Sequence, residues 1–153
     1  MNIIIDTREQ QPYLFEGKGC KLTHRKLDTG DYSFEGCGNA ICVDRKKSLT
    51  EIANNLGRDY KRFRKELIRM QEFDRRIFLF EFDEADLLNY PDNVDIPPWI
   101  KKKIRVKGPA LLKKLDTLKE QYDLEYVFAG TREAAEYFVY ETLLEVWESL
   151  DVA

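Results

Sequence analysis

The stretch Ile41-Cys42-Val43-Asp44-Arg45-Lys46-Lys47, with Gly30-Asp31-Tyr32 upstream, holds the residues of this chain best able to do chemistry. Side chains alternate along a β-strand, so Cys42, Asp44 and Lys46 share one face while Ile41, Val43 and Arg45 share the other. Asp31 follows a glycine about a dozen residues earlier. That spacing suits a strand running back beside the first, which would bring the two carboxylates together.

Two carboxylates and a lysine around one point are suited to phosphodiester hydrolysis. Carboxylates alone would repel the substrate, so they make sense only around a hard cation such as Mg²⁺, which takes one or two carboxylates plus waters and phosphate oxygens. In that scheme Asp31 and Asp44 hold the metal, and Lys46 orients or deprotonates the attacking water and stabilises developing charge. His24 is the only histidine, which excludes zinc fingers and every mechanism that needs two imidazoles.

The elements that must position these groups belong to an ordinary globular chain. At 153 residues the length suits one domain, residues 1–153, able to bury roughly two-thirds of the surface its unfolded chain exposes. No apolar run approaches the roughly 20 residues of a membrane span. Ile3-Ile4-Ile5 is far shorter than the hydrophobic region of an export signal. Cys20, Cys37 and Cys42 are an odd set without CxxC spacing, as suits a reducing compartment, so the expected location is intracellular, in the cytoplasm. The net charge of −3 says nothing for a nucleic-acid partner; distribution says more. Bases cluster in Arg58 to Arg69 and in Lys101 to Lys107, and acids gather in the last helix.

Ile3 to Ile5 reads as a buried strand delivering Asp6-Thr7-Arg8-Glu9 at its carboxyl end, where open α/β sheets place their sites. Residues 21 to 46 read as two or three antiparallel strands, with turns at Thr29-Gly30 and at Gly36 to Asn39. Ser48 and Glu51 form a capping-box pattern for a helix ending near Leu56 before Gly57. From Arg58 to Phe73 one stripe is apolar (Tyr60, Phe63, Leu67, Met70) and the opposite one cationic (Arg58, Arg62, Lys65, Arg69). Arg76 to Phe82 reads as a central strand in which Glu81 must find a partner, and residues 83 to 108 as an irregular segment. A helix opens at Pro109 and buries Leu111, Leu115, Leu118 and Tyr122. A strand over 125–129 and a long helix over 131–150 with a broad apolar girth complete the chain. The expected class is α/β, a mixed central sheet flanked by helices.

The set Ile5-Asp6-Thr7-Arg8-Glu9, Gly30-Asp31-Tyr32, Val43-Asp44-Arg45-Lys46, Arg58 with Arg62 to Leu67, and Phe78-Leu79-Phe80-Glu81-Phe82 resembles the nuclease domain of the XPF-type structure-specific endonucleases, of the PD-(D/E)xK superfamily. The resemblance runs through residues 3 to 83 with every block in order. It implies a restriction-endonuclease-like fold, Mg²⁺ or Mn²⁺ dependence, and cleavage of DNA at branches, flaps or single-strand/double-strand junctions. It places the metal acids on Asp31 and Asp44, the lysine on Lys46, a first acid on Asp6, and arginines on Arg8 and Arg45. Asp44 stands where the family usually has glutamate. Thr50 stands where a further acid is usual, with Glu51 adjacent, and no helix-hairpin-helix domain of the kind many relatives carry is expected.

Phosphate contacts are expected from Arg8, Arg45, Lys47 and Arg58, each steepening the salt dependence of binding by a little under one log-log unit. The partners expected are DNA and, through helix 131–150, a second copy of the chain; no membrane is involved. Two rival readings are a non-catalytic nuclease-like module that binds DNA or a protein, and a junction resolvase or restriction-type nuclease. The intact trio Asp31, Asp44 and Lys46 favours an enzyme over the first.

Overall fold

A computed structural model describes residues 1–151 of the chain. Twelve elements follow in order: β1 (Asn2–Ile5), β2 (Lys21–His24), β3 (Tyr32–Phe34), β4 (Ile41–Lys46), α1 (Leu49–Leu56), α2 (Tyr60–Met70), β5 (Arg75–Phe80), α3 (Glu84–Leu88), α4 (Pro98–Lys101), α5 (Gly108–Tyr122), β6 (Glu125–Phe128) and α6 (Arg132–Asp151). The six strands form one sheet in the order β2-β1-β3-β4-β5-β6. It is mixed: β1 pairs in parallel with β2 and antiparallel with β3, β3 runs antiparallel to β4, and β4, β5 and β6 are parallel. The expected α/β class with a mixed, helix-flanked sheet is the fold observed.

Alternation along β4 divides the core in two. Cys42 joins Phe78 and Phe80 on the face covered by α1, α2 and α5. Ile41 and Val43 join Ile3, Ile5, Ile77 and Leu79 on the face covered by α6, which buries Ala135, Val139 and Leu143 there. Both faces of β4 and β5 are covered, as parallel strands require. Phe138, Tyr140 and Trp147 also pack toward this second cluster, so much of α6's apolar girth is used within the chain. Tyr137 and Leu150 remain outward.

Three expectations change. Only β3 and β4 make the antiparallel hairpin expected within residues 21 to 46, because β2 lies parallel to β1. The connection over residues 6–20 is long enough for the crossover of about a dozen residues that a parallel neighbour needs. Glu81 lies just beyond β5 rather than inside a strand. The segment 83–108 holds two short helices, of which α3 starts from a reciprocal cap: Asp83 accepts from the Asp86 N–H at 2.7 Å while the Asp86 carboxylate accepts from the Asp83 N–H at 3.1 Å. Helices of four or five residues are too short to show a hydrophobic period. Gly108 is needed where α5 meets α3, since a Cβ there would stand 2.0 Å from the Leu87 carbonyl oxygen.

Candidate active site

Asp44 and Lys46 project from β4 toward α1 and α2, and both are nearly buried, at 7% and 6% exposure. Asp31 comes from the residue before β3. Its backbone N–H donates to the Val43 carbonyl at 2.8 Å, its own carbonyl accepts from the Asp6 N–H at 3.0 Å, and its Oδ2 accepts from the Arg45 N–H at 2.8 Å. The acid is thus held between the end of β1 and the end of β4. Gly30 makes the approach possible: its φ is +83°, and a Cβ would stand 2.9 Å from Cys42 Sγ and 3.0 Å from the Val43 oxygen. Any other residue here would combine left-handed strain with a clash.

The three groups line one open cavity of about 360 Å³ near the carboxyl ends of β1 and β4, together with Asp6, Arg8, Lys47, Glu51, Arg62, Glu66 and Arg69. Lys46 Nζ stands 2.9 Å from Asp44 Oδ2 and 3.8 Å from Glu66 Oε2. The nearer contact is at ion-pair distance but outside hydrogen-bonding angles, so the buried Asp44 Oδ2 has no hydrogen-bond partner. Burial, then the charge of Asp44, pushes the Asp31 carboxyl up to about 9, and the same two causes push Glu66 up to about 9. Burial is the strongest single influence on Asp44 and works against its ionised form, but the charge of the Lys46 ammonium and the polar contacts of Glu66, Asp31 and Lys46 together outweigh it and hold that carboxyl below the usual range. Burial is the strongest single influence on Lys46 and lowers its pKa, but the neighbouring acids Asp44, Glu66 and Glu51 together raise it more, so the side chain stays an ammonium.

This donor set fits a hard divalent cation. Three carboxyls crowd together with one ammonium to offset them, and one buried oxygen has no hydrogen bond. Two of the acids keep protons they would shed if a cation shared the space. Among the described residues no three Asp, Glu, His or Cys side chains form a ready cage. A cation that takes one or two carboxylates and completes its shell with water and phosphate oxygens needs none.

The remaining expected residues separate. Asp6 lines the cavity, but both its oxygens are engaged, Oδ2 by Arg8 Nε at 2.7 Å and Oδ1 by the Leu27 N–H at 2.8 Å. Burial raises its pKa, yet these bonds together hold it below the ordinary value. Its place is that of a clamp on the segment after β2. Arg8 and Lys47 are accessible at the rim. Arg45 is not available to phosphate: its side chain points to the opposite face of β4 and is 1% exposed, with Nη1 donating to Glu9 at 2.8 Å and Nε to Glu81 at 2.9 Å. Arg58 does not meet the acids either; it lines two other cavities.

Sequence reasoning missed Glu66 as a member of the site. The signal was present, since Glu66 is four residues after Arg62 and three before Arg69, on one helical face, inside the stripe read as cationic. Glu81 pairs with Arg45 and accepts from the Tyr13 hydroxyl. Glu9 accepts from the Tyr32 hydroxyl at 2.9 Å. The capping box is shifted by one residue: Ser48 Oγ accepts from the Glu51 N–H, but the Glu51 carboxylate accepts from Lys47, not Ser48. Thr50 is exposed and outside the cavity, while Glu51 lines it.

The family model for the ERCC4 domain matches residues 5–141. No curated protein matches the chain. Among solved structures it resembles XPF from Aeropyrum pernix, with a TM-score of 0.69 and 17% identity over 99% of this chain and 68% of that one. It also resembles XPF from Aeropyrum pernix in complex with DNA, with a TM-score of 0.64 and 19% identity over 97% of this chain and 65% of that one. The chain therefore spans about two thirds of the length of those structures, and at such identities the likeness is one of fold.

Proposed function

This chain belongs to the ERCC4 domain family, and on that footing we propose that it is a metal-dependent DNA endonuclease acting at branched, flap or junction DNA. The observation that carries the reading is the convergence of Asp31, Asp44, Lys46 and Glu66 in one open cavity rimmed by cations. The solved relative in complex with DNA supports DNA as the substrate.

Asp31 and Asp44 would hold the Mg²⁺ or Mn²⁺, with Glu66 beside them. When bound, the cation polarises phosphoryl oxygens and makes a coordinated water more acidic. Lys46, an ammonium in the metal-free fold, donates to a non-bridging oxygen and stabilises charge there. Arg8, Lys47, Arg62 and Arg69 at the rim offset the field of the acids and draw the phosphate backbone in. Asp6 holds Arg8 at the rim directly and clamps the segment after β2 beside it.

Labelled duplex, flap, fork and four-way junction substrates, incubated with Mg²⁺, test this directly. Cleavage is expected near the branch points, and Asp31→Asn and Asp44→Asn are expected to bind the same DNA without cutting it. Variants that cut at the wild-type rate would remove the assignment. A homodimer through α6 is proposed on the outward Tyr137 and Leu150, and a monomeric mass at micromolar concentration would count against it.

A further inference from the structure

Arg58, Lys61, Arg62 and Lys65 line a shallow cavity on the amino-terminal half of α2. It adjoins a larger groove of about 450 Å³, reached from the other side by Lys103 and Arg105, ahead of α5, and by Lys114 on α5. The groove's floor is apolar, made by Ala53, Leu56, Tyr90, Ile104 and Leu111. Shared residues join the concavities in sequence: Arg62 lines both the acid cavity and the shallow one, and Arg58 lines both the shallow one and the groove. Asp59 is the sole acid along the second and third of these, in a chain where Asp and Glu outnumber Lys and Arg by 28 to 25.

Solvated cations of a balanced surface usually lie near acids. Here Lys61, Arg62, Lys65, Lys103, Arg105 and Lys114 form no ion pair among the described residues. Arg58 meets only its neighbour Asp59, at 3.4 Å and with its own side chain 74% exposed, a contact worth little. Unpaired like charges repel one another, and a tract that keeps them together over an apolar floor suits a polyanion whose charges recur along a partly apolar backbone. From Glu66 back to the start of α2 the helix runs about 10 Å, or about three steps of a strand advancing roughly 3.4 Å per phosphate.

We propose that this tract is a second DNA site, in which the side chains of Arg58, Lys103, Arg105 and Lys114 hold backbone phosphates about three or more nucleotides from the phosphate at the acid cavity. The inference deepens the proposed function and rests on it for the identity of the polyanion as DNA. Such contacts carry no base information and set position and affinity.

The full chain tests it as the variant Lys103→Ala/Arg105→Ala/Lys114→Ala, binding a fluorescent duplex several turns long in a buffer free of divalent cations, across a salt series. All three side chains are exposed, and circular dichroism checks the fold. The log-log salt slope is expected to become shallower by about two to three units, with affinity at fixed salt falling by about ten-fold or more. Replacing Lys103 and Lys114 by arginine is expected to retain the wild-type slope. With Mg²⁺ the alanine variant is expected to raise KM and leave kcat in place. An unchanged slope overturns the tract, as does an equal loss when Lys21, Lys26 and Lys113 are removed instead. Weaker binding of polyaspartate with unchanged duplex affinity would assign the tract to an acidic protein and also overturn it. The two readings fail separately: duplex binding that needs the tract, without any cleavage, sinks the nuclease and keeps the tract, whereas cleavage by the alanine variant with wild-type KM does the reverse.

Discussion

The two faces of β4 hold equally charged groups in opposite conditions. On the α6 side Arg45 is enclosed by partners: Glu9 and Glu81 accept from it, the Gln11 carbonyl accepts at 2.8 Å, and its guanidinium lies 4.1 Å from the centre of the Tyr13 ring. Arg132 extends the set by donating to the Gln11 and Pro12 carbonyls at 3.0 Å each. Charges and hydrogen bonds there are matched within the chain. On the α2 side Asp31, Asp44 and Glu66 crowd against a single ammonium, one oxygen has no hydrogen bond, and two carboxyls have pKa values near 9. One residue apart in sequence, Asp44 and Arg45 show what separates a structural network from a site. The first is complete as folded, while the second is completed by something that binds.

The strongest way to break that contrast is at Asp44. Asp44→Asn or Asp31→Asn should reduce cleavage to background in single-turnover assays, with the melting temperature of Asp31→Asn staying near wild type, because that carboxyl already keeps its proton in the metal-free fold. A large loss of stability in Asp31→Asn would mean that this acid is structural after all. Arg45→Met should behave in the opposite sense, destabilising the fold in urea by about 3–5 kcal/mol because Glu81 would be left buried without its cation and Glu9 with only Lys47, 3.5 Å away. A loss of activity with no change in stability would contradict the placement of this network.

Lys46→Ala sharpens the comparison from the middle. It should lower the cleavage rate on the order of 10²-fold at saturating metal, as losing one preorganised donor does. A smaller effect follows from the raised carboxyls. Asp31 and Glu66 keep protons in the fold that they shed when unfolded, so metal-free protein should lose stability as pH rises from about 5 toward about 9. Added Mg²⁺ should raise the melting temperature more at the alkaline end, and not in Asp31→Asn; equal shifts at both ends would show that no such carboxyls bind it. Arg58→Ala is the mildest change, expected to make the salt slope shallower by just under one unit without altering kcat.

Much of this was legible from local pattern. Alternation along β4 assigned Asp44 and Lys46 to one face and Arg45 to the other, and the Gly-Asp pair marked where a returning strand brings Asp31. The helix after Ser48, the apolar stripe of α2, the buried face of α5 and the extent of α6 follow from periods of two and 3.6 residues, which act over short distances in the chain. Arg45 shows the limit. Its residue type suggests a phosphate contact, but only the positions of Glu9, Gln11, Tyr13 and Glu81, supplied by other elements, reveal a side chain with no capacity left for one.

The amino-acid sequence by itself determined the alphabet of the site: two aspartates and a lysine at strand spacing, one histidine too few for the common alternatives, and an α/β sheet to hold them. Tertiary structure alone decided the direction of β2, the entry of Glu66, the removal of Arg58 from the acids and its meeting with Lys103 and Arg105. The reason is physical. Which side chain follows which is a local property of covalent geometry, whereas burial, charge crowding and an unsatisfied oxygen are sums over neighbours brought together by crossovers and packing.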